Sequence, residues 1–197
     1  MKKKFLIIIF LVFGFSQISY SYSSDPKAFI SEIVDDAKKI LIATNSKEFK
    51  TKKLSEIALK TVDIKGVGFY SLGKYRKNLN EQQVDQYLNL FEKYFIKSFT
   101  SRLTDYSDPK IDVISTEVLN PKYTIVKSIL LATDKKPEVK IEWRVYTKNP
   151  DKPLIRDLII EGLSLARAEK EQFTSIIQSN NGDVVKLFDT LKEFINK

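Results

Sequence analysis

Apolar positions in this chain recur first at helical spacing, then at every second residue, then at helical spacing again. Asp25-Pro26 reads as an N-cap followed by a first-turn proline. The run Phe29, Ile30, Ile33, Val34, Ala37, Ile40, Leu41 that follows predicts an amphipathic helix reaching about Ala43. Asn45-Ser46 ends it. A second helix is expected from about Lys47 to Leu59, with Phe49, Leu54, Ile57 and Ala58 on one side and lysines on the other. Val62 to Tyr75 carries Gly66, Gly68 and Gly73 and reads as a junction of short helical turns. Asn80 then caps the longest predicted helix, Glu81 to about Tyr106. Its stripe of Val84, Tyr87, Leu88, Phe91, Tyr94, Phe95, Phe99 and Leu103 is rich in aromatic rings.

After Ser107-Asp108-Pro109 the period drops to two. Strands are expected at Ile111 to Leu119, Tyr123 to Ala132, Glu138 to Tyr146 and Leu154 to Ile160. The third alternates most cleanly, with Val139, Ile141, Trp143 and Val145 on one face and Glu138, Lys140, Glu142 and Arg144 on the other. The connections at Asn120-Pro121, Asp134 to Pro137 and Lys148 to Pro153 are short, which favours antiparallel neighbours. One sheet face is therefore apolar, and the aromatic helix is its expected cover. The last strand ends at Glu161-Gly162, where Gly suits a sharp corner. Ser164 is then a natural N-cap for a helix to about Gln178. Asp183 to Ile195 gives one more helix. No repeat or low-complexity linker interrupts the chain, so the pattern predicts one α+β domain.

Composition narrows the chemistry. The chain of 197 residues contains no cysteine and no histidine. Thiolate and imidazole metal sites, Cys nucleophiles and Ser-His-Asp triads are thereby excluded, along with the usual base near neutral pH. Lys2-Lys3-Lys4, the short apolar run Phe5 to Phe13, and small residues around Ser19, Ser21 and Ser23 have the layout of a secretory signal peptide. The apolar run is far shorter than the roughly 20 residues of a membrane span. The expected division is residues 1–21 as signal peptide and 22–197 as one ligand-binding domain. Losing the three lysines would lower the formal net charge of +8 by three. The remaining charges are scattered along the sequence without a concentrated basic stripe, so nucleic acid is not an expected partner.

The best acidic pair is Asp157 with Glu161, two strand-spaced carboxylates. Acid–base work by this pair would need burial to shift their pKa values. The plainer reading pairs Asp157 with Arg144 or Arg156 and sets Glu161 near a helix start. Gly66-x-Gly68 lacks the strand and the third glycine of a phosphate loop. The aromatic stripe and the apolar sheet face suit either a filled core or the walls of an apolar ligand cavity.

Several blocks resemble one family in order and spacing, over roughly Asp25 to Ile195. They are Asp25-Pro26 with its helix, Leu54-Ser55-Glu56-Ile57 to Asp63, and Gly68-Phe69 with Leu72-Gly73-Lys74-Tyr75-Arg76. Leu79-Asn80-Glu81-Gln82-Gln83, Phe91, Arg102 to Tyr106 and Trp143-Arg144-Val145 follow. Asp157-Leu158 through Glu161-Gly162-Leu163-Ser164-Leu165 to Gln172-Phe173 closes the set. The chain resembles the MlaC, or toluene-tolerance, family of periplasmic phospholipid-binding proteins. Lys170 stands where the family's arginine is expected, and Gly66-Val67-Gly68 is more glycine-rich than expected.

The resemblance implies a nuclear-transport-factor-like α+β fold, with a curved, mostly antiparallel sheet of about four strands wrapped by helices around an apolar cavity. It implies a non-enzymatic carrier without cofactor or metal. Such a carrier shuttles a diacyl phospholipid between an outer-membrane lipoprotein–porin complex and an inner-membrane ABC transporter complex, so maintaining outer-membrane lipid asymmetry. The lining expected on this basis is Val139, Ile141, Trp143, Val145, Leu158 and Ile160 from the sheet. Leu88, Phe91, Tyr94 and Phe95 would close it from the long helix, with Leu72 and Tyr75 at the junction. Lys74 and Arg76 are expected near the headgroup. A carrier of another apolar ligand, a ligand-free envelope adaptor and an enzyme on the same fold are the alternatives.

Overall fold

The computed structural model describes residues 21–106, 108–134 and 137–197. The signal-peptide expectation falls almost wholly outside them. Helices α1 (Pro26–Ile42), α2 (Lys47–Thr61) and α3 (Ile64–Leu72) lead through a 3-10 segment (Gly73–Asn78) into α4 (Glu81–Leu103). Strands β1 (Ile111–Asn120), β2 (Tyr123–Leu130), β3 (Val139–Tyr146) and β4 (Leu154–Ile160) follow, then a two-residue β5 (Leu163–Ser164). Helices α5 (Leu165–Ser179) and α6 (Val184–Asn196) complete the fold. The strands form one antiparallel sheet in the order β1-β2-β3-β4-β5. This is the α+β architecture expected from the pattern.

Each long helix begins on a side chain able to accept orphan N–H groups. Asp25 accepts from Ala28 N–H, Ser46 from Phe49 N–H, Asp63 from Gly66 N–H and Ser164 from Arg167 N–H. Asn80 and Gln83 form a reciprocal capping box at the start of α4. The glycine-rich junction, expected as short helical turns, is the α3 helix running into the 3-10 segment. Gly68 explains one of its glycines, because a Cβ there would sit 2.8 Å from the Phe91 ring. Its absence lets α3 and α4 approach closely, and the Tyr87 hydroxyl donates to the Gly68 carbonyl at 2.9 Å.

Two apolar clusters organise the interior. The first is helical: Ile64, Val67, Leu72, Tyr75, Tyr87, Phe91, Phe173, Ile177, Leu187, Phe188 and Leu191 pack α3, α4, α5 and α6 together. The second sets Phe29, Ile30, Ile33 and Val34 of α1 against Val126, Val145 and Ile155 of the sheet. The long aromatic helix is therefore not the principal cover of the sheet. It packs mainly on α6, α3 and α2, and α1 lies on β1 and β2 instead. The physical reason is complementarity of shape. The flat rings of α4 find edge-on partners in Phe173 and Phe194 and a stacked partner in Phe188, while branched Ile and Val of α1 match the β-branched sheet face. Val62 touches both clusters and pairs in parallel with Ile155.

Candidate lipid-binding site

Register decides which side chains share a face. Ser128 stands opposite Ile141, Val126 opposite Trp143, Leu130 opposite Val139, Ile141 opposite Ile160, and Trp143 opposite Leu158. All six expected sheet residues thus lie on one face, as the two-residue period requires. A bulge at Arg156 re-aims the start of β4, and a second irregularity interrupts β1 between Val113 and Ser115.

Within that face the six residues divide. Val145 is fully buried and Trp143 partly so, both against the α1 cluster. The Trp143 indole N–H donates to Ser128 Oγ at 2.8 Å, and the Ser128 hydroxyl donates to the Ile141 carbonyl at 3.3 Å. The one polar group of the tryptophan is satisfied inside the sheet. Val139, Ile141, Leu158 and Ile160 are only half-buried and belong to neither packed cluster. They form an aliphatic patch across β3 and β4, continued by half-buried Leu130 on β2.

The helix-borne residues lie elsewhere. Leu72, Tyr75 and Phe91 are buried members of the helical cluster, and Leu88, Tyr94 and Phe95 pack against it from partly exposed positions. Lys74 and Arg76 are exposed on the 3-10 segment, where Lys74 lies 5.3 Å from the Tyr75 ring and Arg76 lies 5.2 Å from the Phe69 ring. The structure therefore separates the expected lining into a sheet group and a helix group with different neighbours. Two surface grooves, of about 460 Å³ along α3 and α5 and about 290 Å³ between α1 and α2, are lined by none of these residues.

The segment after β4 is a locking device. Glu161 and Gly162 have φ of 48° and 80°, and Ile160 pairs with Leu163, so the pair forms a tight hairpin turn of the kind that needs two positive φ values. The expected strand-to-helix corner is therefore a hairpin followed by a helix. The Asp157 side chain is 2% exposed and accepts three donors. These are Arg144 Nη1–H at 3.2 Å, the Ser164 hydroxyl at 2.7 Å and Ala166 N–H at 3.0 Å. A carboxylate so employed holds the sheet to the start of α5. The Glu161 carboxylate accepts from Lys140 N–H. Of the two arginines weighed for Asp157, only Arg144 pairs with it. Arg156 reaches Asp63 with Nη2 at 2.6 Å and Nε at 2.7 Å, donates to the Tyr123 hydroxyl at 2.9 Å and lies 3.7 Å from the Tyr146 ring centroid. Sequence spacing could not foresee this bolt, because Asp63 and Arg156 meet only once the α2–α3 junction docks on β4.

One carboxyl in the helical half was missed by the sequence reading. Burial raises the pKa of Glu169, opposed by the Tyr94 hydroxyl that donates to it at 2.8 Å and by the Arg102 charge. Burial, followed by the Glu169 charge, likewise raises the Tyr94 phenol and keeps it a donor. The only available signal was its position on the inward face of α5, one turn from Phe173.

The fold is shared with a solved phospholipid-binding protein from Ralstonia solanacearum, determined in complex with a phospholipid. The TM-score is 0.72 at 20% identity, covering 86% of this chain and 96% of that one. No curated protein matches the sequence significantly. The sequence profile described as MlaC protein matches residues 30–193. With most of its length matched, the chain belongs to the MlaC family.

Proposed function

We propose that this protein is a periplasmic phospholipid carrier, exported by a cleaved signal peptide, that takes a diacyl glycerophospholipid between an outer-membrane lipoprotein–porin complex and an inner-membrane ABC transporter complex. The observation that carries the reading is the aliphatic patch of Val139, Ile141, Leu158 and Ile160. It shares a face with Trp143 and Val145 yet lies outside both packed cores, in a fold shared with a phospholipid-bound protein. Acyl chains suit such a surface because they ask only for apolar contact.

The energetics agree with a shuttle. Each buried methylene is worth about 0.8 kcal/mol relative to water, so two chains gain on the order of 20 kcal/mol. Escape into water is negligible. In a bilayer the chains are already dry, so exchange with a membrane is near balance and is governed by docking. No titrating constellation is needed, and Asp157, the best catalytic candidate, is fully occupied by three donors. The reading is of a carrier, not an enzyme.

Native mass spectrometry of protein purified from a Gram-negative periplasm, followed by organic extraction, tests this. One intact diacyl phospholipid per chain is expected. A fatty acid or isoprenoid instead would move the reading to another apolar cargo. A bare polypeptide mass that takes nothing up from liposomes would overturn it in favour of an envelope adaptor.

A further inference from the structure

Cations far apart in sequence gather on one face of the helical half. Lys65 on α3, Lys74, Arg76 and Lys77 on the 3-10 segment, and Arg167 on α5 are all exposed, and Lys170 on α5 is partly so. None of the six pairs with a carboxylate among the described residues, whereas Lys39, Lys53, Lys127, Arg144, Arg156, Lys192 and Lys197 do. The nearby acids are largely spent, with Asp63 held by Arg156 and Glu169 buried against Tyr94. Glu171 remains in the groove.

The cations are interleaved with rings. Phe69 has Lys65 at 5.9 Å and Arg76 at 5.2 Å, Tyr75 has Lys74 at 5.3 Å, and Tyr70 has Lys170 at 5.2 Å. The Lys170 stem crosses Gly73 so closely that a Cβ there would lie 3.1 Å from Cε, which fixes its course toward Tyr70. Tyr70, Arg167 and Lys170 are also walls of the groove of about 460 Å³, with Thr174, Ser175 and Gln178 adding polar groups. Cations thus flank α3 through two neighbouring rings, Lys65 and Arg76 at Phe69, and Lys170 at Tyr70 with Arg167 in the same groove.

We infer that this α3–α5 face docks on the headgroup layer of an anionic phospholipid membrane. The charge is complementary, and half-exposed Tyr with long cationic side chains is the composition favoured where apolar matter meets polar headgroups. Each Lys or Arg near an anionic bilayer contributes about fivefold in affinity at physiological ionic strength, so the attraction accumulates across the patch and falls with salt. The inference goes beyond phospholipid carriage and can fail without it. A protein that holds one lipid internally can still be indifferent to bilayer charge.

The test is sedimentation of the secreted full-length domain with vesicles of phosphatidylcholine containing 30% phosphatidylglycerol, against vesicles of phosphatidylcholine alone. Binding only to the anionic vesicles, weakened at least tenfold by 0.5 M salt, is expected. Lys65→Glu with Arg167→Glu should lower it more than tenfold. Lys38→Glu with Lys186→Glu, the same charge change elsewhere, should lower it much less. Phospholipid content, measured on the same samples by native mass spectrometry, should be equal in all three proteins. Equal binding to both vesicle types, no binding to either, or equal losses in the two double variants would overturn the inference. Loss of a cross-link to an acidic envelope protein without any vesicle effect would assign the face to a protein and overturn it too.

Discussion

The helical half and the sheet half use apolar residues in opposite ways. In the helical half, Phe91 is 1% exposed and is ringed by Tyr87, Tyr94, Phe95 and Phe173 at 5.8–6.3 Å between centroids. In the sheet half, Ile141, Leu158 and Ile160 lie beside a packed cluster without joining it. One region is a finished core and the other keeps apolar area in reserve. The contrast teaches that the aromatic stripe packs mainly against other helices here, while the half-buried aliphatic strand positions are the surface we propose for cargo.

The comparison predicts its own largest effect. Phe91→Ala should lower unfolding stability by about 3–5 kcal/mol, as a buried ring leaves a cavity against Gly68. Ile141→Ala should cost only about 1 kcal/mol, because less contact is lost. Chemical denaturation of both variants checks this, and equal losses would erase the distinction between the halves. Next in size is the lock between them. Asp157→Ala strands Arg144, Ser164 and the Ala166 N–H, and should cost roughly 3 kcal/mol in the same assay. Arg156→Lys keeps a charge but loses the planar guanidinium over Tyr146 and the simultaneous contacts to Asp63 and Tyr123. A loss of about 1–2 kcal/mol is expected.

The smallest effect is a pH dependence seated in the helical half alone. Burial raises the folded-state pKa of Glu169, so its favourable contribution is present at low pH and is lost as pH rises through that folded value. Glu169→Gln keeps an acceptor for Tyr94 and should flatten the stability profile over that range. Thermal unfolding of wild type and variant across mildly acidic to neutral pH reads the difference. A parallel shift with unchanged slope would remove Glu169 from the account.

Much of this was legible from local pattern. The strand period placed Val139, Ile141, Trp143 and Val145 on one face, and Asp25, Asn80 and Ser164 announced helix starts that the structure shows as capped. What stayed hidden depends on contacts distant in sequence. Periodicity says that α4 has an apolar side, but not whether a sheet or other helices will cover it. The Asp63–Arg156 bolt and the gathering of Lys65, Arg76, Arg167 and Lys170 arise only from docking α3 against β4 and α5. The Glu161-Gly162 hairpin differs from the expected corner by only the two residues of β5, which pair with the end of β4 and carry too little pattern to read as a strand.

The central claim is that the half-buried patch on β3 and β4 holds the acyl chains. Ile141→Trp fills that patch while leaving the helical core untouched. The account predicts a variant with near wild-type thermal unfolding that, in native mass spectrometry after periplasmic purification, has lost most of its bound phospholipid. Full phospholipid occupancy in a folded Ile141→Trp protein would contradict it.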